Sequence, residues 1–308
     1  MIDHLIEKIK ETGNPSVVGL DPAYAMIPAY IRNEMLERYG KTPKAAAEMF
    51  VAFNQAIIDA VADIVPAVKP QIAMYERYGL DGISAYMRTA EYARAKGLVV
   101  IGDIKRGDIS STAEAYAAHI GGVSVEGEQF DLWNEDFITV NPYFGIDGIK
   151  PFTDVCAAQH KGIFVLVKTS NPGSGELQDK LIDGEPLYAR VADLVRRWGE
   201  GCMGSYGYSS VGAVVGATHP RQGAELRARM PHVFFLVPGY GAQGGTGADL
   251  KGYFDADGLG IIVNSSRGII AAYQKDPAFA DAEHAGPEFA QASRNAALRM
   301  RADLQNAM

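Results

Sequence analysis

The chain has 308 residues, of which 47% are hydrophobic and 21% are charged, a composition that is typical of folded proteins and excludes a disordered chain. The net charge of −8 disfavours a nucleic-acid partner, because proteins that bind phosphate backbones usually carry a basic surface. Two cysteines, no apolar run of about 18 residues and no signal-peptide core predict a cytoplasmic protein with no membrane partner.

The first predicted element is a short amphipathic helix, because the apolar residues 2, 5, 6 and 9 recur with helical spacing. Eight apolar runs follow, and several are apolar almost throughout, as expected of strands that are buried on both faces of a parallel sheet. These predicted strands span residues 16–21, 67–71, 99–105, 137–142, 163–170, 211–218, 233–240 and 261–266.

Helical patterns separate most of the predicted strands, most clearly at 44–64 and also at 85–96 and 111–119. An alanine-rich final helix is predicted within 276–308, on the outside of the fold. Eight strands alternating with helices predict an α/β protein, a single (β/α)₈ TIM barrel that spans residues 1–308.

Three connections, at 22–43, 120–135 and 171–208, are longer than usual, and we interpret them as insertions between the strands and helices of the barrel. The alternative fold is an open doubly wound sheet. It usually has fewer strands, and the Gly-x-Gly-x-x-Gly pattern of its dinucleotide-binding form does not follow the first predicted strand.

Charged residues stand at the ends of several apolar strands, where a barrel enzyme carries its chemistry. Asp103 and Lys105 end the third strand, and alternation predicts that their side chains point the same way. With Lys69 from the second strand and Asp108 from the following loop, they could form an alternating set of ammonium and carboxylate groups that places a proton donor beside developing negative charge. The alternative is an ion-pair network that only closes the barrel end. Asp21, before a proline, either joins this site or is a turn residue.

A second group of residues predicts a phosphate site after strands seven and eight. Gln243 lies in the glycine-rich segment 239–247, which includes Gly244, and glycines let backbone N–H groups turn towards an anion. Arg267 opens the element after strand eight and could supply a fixed cation. The alternative is a flexible surface loop beside an exposed arginine.

Other catalytic patterns are missing from the sequence. The six histidines show no metal-ligand spacing, Gly-x-Ser-x-Gly is absent, and neither Cys156 nor Cys202 ends a predicted strand. We therefore predict no metal site and no thiol nucleophile.

The run Asp103-Ile104-Lys105-Arg106-Gly107-Asp108-Ile109, followed by Thr112, resembles the Asp-x-Lys-x-x-Asp signature of the orotidine 5′-phosphate decarboxylase family. Sugar-phosphate decarboxylases and hexulose-phosphate synthases share that short signature. The wider set is similar to the long, type 2 bacterial branch, over nearly the whole chain and with its motifs in the same order: Lys69-Pro70-Gln71, Lys168-Thr169-Ser170-Asn171-Pro172 and Val237-Pro238-Gly239-Tyr240-Gly241-Ala242-Gln243-Gly244.

The resemblance implies a (β/α)₈ barrel, a homodimer with shared active sites, and decarboxylation of orotidine 5′-monophosphate to UMP without a cofactor, the last step of de novo pyrimidine synthesis. It implies that Lys69, Asp103, Lys105 and Asp108 form the charged array, with Lys105 as the proton donor. It also implies that Asp108 and Thr112 reach into the partner's site.

By the same resemblance, Asp21 and Lys69 hold the ribose and Ser170 contacts the pyrimidine, whereas Gln243 and Arg267, with backbone N–H groups such as that of Gly244, bind the phosphate. The sequence departs from the family pattern at Ser110, where glycine is usual, and at Gly173-Ser174, where Ser-Ser is common. Two other functions stay open: a Mg²⁺-dependent sugar-phosphate lyase on the same barrel, and a non-catalytic protein that binds a phosphate ligand.

Overall fold

The computed structural model describes residues 1–279 and 286–308. Eight parallel strands hydrogen-bond in chain order, and the first pairs with the last to close a barrel, which confirms the predicted (β/α)₈ architecture. Every predicted strand is present. The strands are β1 (Ser16–Leu20), β2 (Ala67–Pro70), β3 (Val99–Arg106), β4 (Phe137–Val140), β5 (Gly162–Lys168), β6 (Ser209–Val215), β7 (Val233–Val237) and β8 (Ile261–Ser265).

Helices surround the barrel because parallel neighbours need a crossover connection. They are α1 (Ile2–Thr12), α2 (Ala29–Tyr39), α3 (Pro43–Val61), α4 (Ala73–Glu76), α5 (Gly79–Ala95), α6 (Ser110–Gly121), α7 (Ile146–Gln159), α8 (Leu187–Trp198), α9 (Pro220–Arg229), α10 (Arg267–Ile270) and α11 (Phe289–Gln305). The helix predicted within 276–308 is α11, and residues 280–285 of that prediction lie outside the described residues. Within the described ranges, no helix is long and apolar enough to cross a membrane.

The three long connections contain structure of their own. The first holds a 3₁₀ turn and α2, and the second holds an antiparallel hairpin of Val123–Val125 and Glu128–Phe130. The third holds a 3₁₀ turn at Pro172–Glu176, a pair of two-residue strands at 181–186, and α8. Sequence patterns predicted these insertions only as long connections, because strands this short carry no readable periodicity.

The barrel has two apolar cores, and the inner one shows which end of the barrel is closed. One lies between the strands and the outer helices, and the other fills the barrel interior. Leu5, Ile6 and Ile9 of α1 pack into the interior core against strand residues such as Val17 and Phe137, so α1 closes the amino end of the barrel. The carboxyl ends of the strands remain as the open end.

Candidate active site

A cavity of about 520 Å³ opens at the carboxyl ends of the barrel strands. Seven of the predicted site residues line it: Asp21, Lys69, Asp103, Lys105, Ser170, Gln243 and Arg267. The other three predicted site residues, Asp108, Thr112 and Gly244, do not line it. The fold therefore brings together residues from strand ends that are up to 246 positions apart in the sequence (Asp21 and Arg267).

Asp103 is the centre of an ion-pair cluster on the cavity wall. Its Oδ2 accepts a hydrogen bond from Lys69 Nζ at 2.7 Å, and its Oδ1 accepts one from Lys105 Nζ at 2.5 Å. The two lysines differ in exposure, because the Lys69 side chain is 4% exposed whereas the Lys105 side chain is 46% exposed. One carboxylate thus holds a buried ammonium on one side and a solvent-accessible ammonium on the other.

The charged state of this cluster follows from its surroundings. Burial alone would raise the pKa of Asp103, but the ammonium groups of Lys69 and Lys105 outweigh burial and hold that pKa well below its usual range. Burial opposes the charge of Lys69 as well, yet the carboxylates of Asp103 and Asp21 raise its pKa. Asp103 is therefore a carboxylate and Lys69 an ammonium at neutral pH.

Strand β3 is irregular at Asp103 and Lys105. Its register against β4 passes from Gly102 opposite Ile138 to Arg106 opposite Val140, so three residues of β3 face a single residue of β4. Lys105 lies in this bulge with a φ of +47°, the left-handed region that favours glycine. The side chains of Asp103 and Lys105 do meet, but through a bulge rather than through the regular alternation on which the sequence prediction rested.

Thr139 is a site residue that sequence reasoning missed. Its hydroxyl donates to Asp103 Oδ1 at 3.0 Å and accepts from the Lys105 backbone N–H at 2.9 Å. Alternation from Phe137, which packs in the barrel interior, would have identified Thr139 as an inward-facing residue at the end of β4.

Two further polar side chains face the cavity with unused acceptor atoms. Asp21 Oδ1 and Asn264 Oδ1 are buried, and neither has a hydrogen-bond partner among the residues that the structure describes. A buried acceptor without a partner destabilises the protein unless a ligand or water supplies a donor. Both atoms are therefore suited to accept hydrogen bonds from hydroxyl or N–H groups of a bound molecule. Asn264 was not among the predicted site residues.

The glycine-rich segment 239–247, after β7, forms another wall of the cavity, away from the Asp103 cluster. Gly239, Gly241 and Gly244 have φ values of +101°, +70° and +95°, which explains why glycines occupy these positions. Gln243 and Arg267 line the cavity here, so an amide and a guanidinium face the same space. This combination is suited to an anion.

The loop after β7 is anchored on the carboxyl-terminal helix. Asp303 Oδ2, on α11, accepts hydrogen bonds from Tyr240 Oη at 2.7 Å and from Gly247 N at 2.8 Å. Sequence patterns do not reveal this contact, because its residues are more than 50 positions apart.

The insertion after β5 is also anchored, through an ion pair between a buried lysine and a partly exposed aspartate. Lys168 is fully buried, and its Nζ donates to Asp179 Oδ1 at 2.6 Å and to Ser174 Oγ at 3.3 Å. Thr169 and Gln178 exchange a second pair of hydrogen bonds. These contacts hold the start of the insertion where Ser170 lines the cavity.

Asp108 and Thr112 lie outside the cavity of their own chain. Asp108 Oδ1 accepts from the backbone N–H of Ile109, and Thr112 is exposed in the first turn of α6. Exposed apolar side chains occur at Ile109, next to Asp108, and at Tyr143, Phe144 and Ile146, between the end of β4 and the start of α7. Gly148 of α7 lies against the Asp108 backbone and Phe144.

No group of three or more His, Cys, Asp or Glu side chains that could hold a metal ion occurs in residues 1–279 and 286–308. His284, one of the six histidines, lies outside these ranges.

Comparison with known proteins identifies the family of the chain. The Orotidine 5′-phosphate decarboxylase / HUMPS family matches residues 35–282. The chain is 45% identical to the orotidine 5′-phosphate decarboxylase of Rhodopirellula baltica over 269 residues, which are 87% of each chain. It is 40% identical to the orotidine 5′-phosphate decarboxylase of Clostridium acetobutylicum over the full length of both.

Solved structures show the same fold. The OMP decarboxylase of Leishmania donovani superimposes with a TM-score of 0.70 at 33% identity, covering 96% of this chain and 98% of that one. The UMP synthase of the same organism gives a TM-score of 0.75 at 32% identity and covers this whole chain, which spans 56% of that longer protein.

Proposed function

The chain belongs to the orotidine 5′-phosphate decarboxylase family, and from this membership we propose that its barrel-end cavity converts orotidine 5′-monophosphate to UMP and CO₂, the last step of de novo pyrimidine synthesis. The observation that carries the proposal is the Lys69–Asp103–Lys105 cluster on the cavity wall. It holds two cations and one anion in fixed positions, as a reaction that develops negative charge on carbon requires.

The reaction breaks the bond between C6 of the pyrimidine and its carboxylate. CO₂ leaves, the bonding electron pair stays at C6, and a proton must then be supplied to that carbon. We assign the proton to Lys105 Nζ, because its ammonium is both held by Asp103 and open to solvent, from which it regains a proton after each turnover. Lys69 is buried, so its ammonium serves as a fixed charge.

Asp103 has two roles in this proposal. It orients both ammonium groups, and we place the substrate carboxylate against the part of the cavity wall that carries its negative charge. A carboxylate of such low pKa stays ionised at neutral pH, so it disfavours the bound carboxylate more than the transition state in which CO₂ is departing.

The other cavity residues bind the parts of the substrate that do not react. We propose that Asp21 and Lys69 hold the ribose hydroxyls, Ser170 contacts the pyrimidine, and Gln243 and Arg267 bind the phosphate. Backbone N–H groups of the loop after β7, including that of Gly244, would complete the phosphate site. Remote phosphate binding can then contribute to lowering the barrier at C6.

We also propose a homodimer in which Asp108 and Thr112 act in the partner's site. Two observations support this: both residues lie outside their own cavity, and exposed apolar side chains occur at the adjacent Ile109 and in the segment 143–146, which leads to the contact of Gly148 with the Asp108 backbone. An apolar surface of this kind is typical of an interface with another protein. We place this dimer, with residues 1–308 as one domain per chain, in the cytoplasm, where free cysteines such as Cys156 and Cys202 stay reduced.

The decisive test is loss of orotidine 5′-monophosphate absorbance in the presence of EDTA. Turnover with EDTA supports the proposal, whereas turnover that needs Mg²⁺ and a sugar phosphate would support a metal-dependent lyase. Lys105→Ala should lose more than 90% of kcat, a barrier increase above about 1.4 kcal/mol. Lys150→Ala removes an exposed lysine that pairs with Asp154 on α7, and it should leave kcat unchanged.

The shared site is tested by mixing two inactive variants. Lys105→Ala and Asp108→Ala are unfolded and refolded together in equal amounts, so that about half of the dimers are mixed. In each mixed dimer one site carries both substitutions and the other carries neither, so roughly a quarter of all sites should regain activity. Mixed dimers without recovered activity would show that Asp108 acts in its own chain, and the decarboxylase proposal would still stand.

A further inference from the structure

The bulge in β3 removes regular strand pairing at Lys105, the proposed proton donor. Regular β pairing would hold residues 103–105 through backbone bonds to β4, but the register shift sets all three against Thr139 alone. Lys105 also carries a left-handed φ, which disfavours any side chain larger than that of glycine. Something outside the regular ladder must therefore fix the backbone at Lys105.

The Thr139 hydroxyl holds the backbone at Lys105 by a hydrogen bond. It is 2.9 Å from the Lys105 backbone nitrogen and 3.0 Å from Asp103 Oδ1, and Thr139 is 1% exposed. An amide N–H can only donate and an ionised carboxylate can only accept. The hydroxyl oxygen must therefore accept from Lys105 while its hydrogen points to Asp103, so both hydrogen bonds are determined in direction.

We propose that Thr139 is a positioning residue for the proton transfer, an inference that rests on the proposed function of the site. A single hydroxyl fixes two things at once: the backbone from which the Lys105 side chain extends, and the carboxylate oxygen to which its ammonium is bound. Thr139 thereby sets the position of Lys105 Nζ relative to C6 of the substrate.

This role differs from ordinary core packing. Asp103 Oδ1 would keep its bond to Lys105 without Thr139, so the ion pair would survive, but the bulge would be free to shift. Proton transfer is sensitive to displacements of about 1 Å. The phosphate is bound on another wall of the cavity, by Gln243 and Arg267, and Lys69, which holds the ribose, is bonded to the other oxygen of Asp103, Oδ2. Loss of the hydroxyl should therefore lower kcat and leave KM nearly unchanged.

The test compares Thr139→Val, which keeps the shape and removes the hydroxyl, with Thr139→Ser, which keeps the hydroxyl. Thr89→Val is the matched control, because Thr89 is equally buried, its hydroxyl accepts from Asn54 between α3 and α5, and neither residue lines the cavity. We expect Thr139→Val to lose at least about tenfold in kcat with KM within about threefold. Thr139→Ser and Thr89→Val should keep kcat within about threefold of the wild type.

Thermal unfolding and UMP binding establish that each variant is folded. If Thr139→Val does not fold, Thr139→Ala replaces it in the same comparison with Thr139→Ser. Equal kcat for the hydroxyl-free variant and the wild type would overturn the positioning role, and so would an equal loss in Thr139→Ser. A wild-type protein without turnover would instead overturn the decarboxylase proposal, and the inference with it.

Discussion

Asp103→Asn should destabilise the folded chain strongly, because the substitution leaves a buried ammonium without its counter-charge. Asp103 is 8% exposed and Lys69 is 3% exposed, and the two are 2.7 Å apart. An asparagine amide has one acceptor oxygen for the donors that the carboxylate now serves, and its NH₂ group would meet one of them. Breaking a buried ion pair on one side typically costs about 3 kcal/mol or more, and we expect that loss at pH 7.

The destabilisation should depend on pH in a defined direction. The folded-state pKa of Asp103 lies below the value of about 3.9 of an unfolded aspartate. The stabilisation by its charge is therefore fully present above about pH 4, and it is lost as the pH falls from there through the folded-state pKa. The difference in unfolding free energy between wild type and Asp103→Asn should be constant from pH 5 to pH 8 and should narrow at about pH 3.

Urea unfolding at these pH values measures the effect, and the double variant Lys69→Met/Asp103→Asn isolates its cause. The double variant removes the orphaned ammonium, so it should be more stable than Asp103→Asn by at least about 1 kcal/mol. A single variant as stable as the wild type at pH 7, or a double variant no more stable than the single, would refute the argument that the unpaired Lys69 charge is responsible.

Three further outcomes are expected. Ser110→Gly should stabilise the fold by about 0.5–1 kcal/mol in urea unfolding, because Ser110 has a strained φ of +53°. Ser111→Gly in the same helix should destabilise the fold, and changes in stability of the same sign for both variants would contradict the strain argument. Arg267→Ala should lower kcat/KM for the nucleotide but hardly for the nucleoside, and equal losses would move Arg267 out of the phosphate site. Burial raises the pKa of Glu135, so ionisation of its carboxyl should reduce the stability of the fold as the pH rises above about 4.3. Glu135→Gln should lack this loss of stability between pH 4.5 and 7, and an equal loss in the variant would exclude Glu135 as its source.

The barrel itself could be predicted because each buried strand is a short apolar run that is readable without tertiary information. The ion-pair residues were equally visible, since charges such as Lys69 and Asp103 at the ends of apolar strands are rare without a structural or catalytic purpose. The left-handed φ at Ser110 gives a physical reason for the glycine that the family resemblance implies at this position.

Other parts of the site were hidden from sequence reasoning. The bulge at residues 103–105 depends on the partner strand, so no pattern within β3 reveals it. Nothing in the local sequence distinguishes Thr139 and Asn264 from other polar residues. Their position in the cavity at the end of the barrel is what identifies them as site residues. The anchoring of the β7 loop on Asp303 is a long-range contact between segments with no shared motif.

The position of the site follows from how the barrel interior is filled. Inward-facing residues are apolar through the lower part of the barrel, where Val17, Val99 and Phe137 pack with α1. Two residues further along β4, the same face presents Thr139, and at the end of β3 it presents Asp103. Because α1 closes the amino end, these polar groups can contact a ligand only at the carboxyl end, above the apolar interior core. Because the residues beneath the cluster are apolar and buried, its charges act on a bound substrate with less screening than they would at a surface.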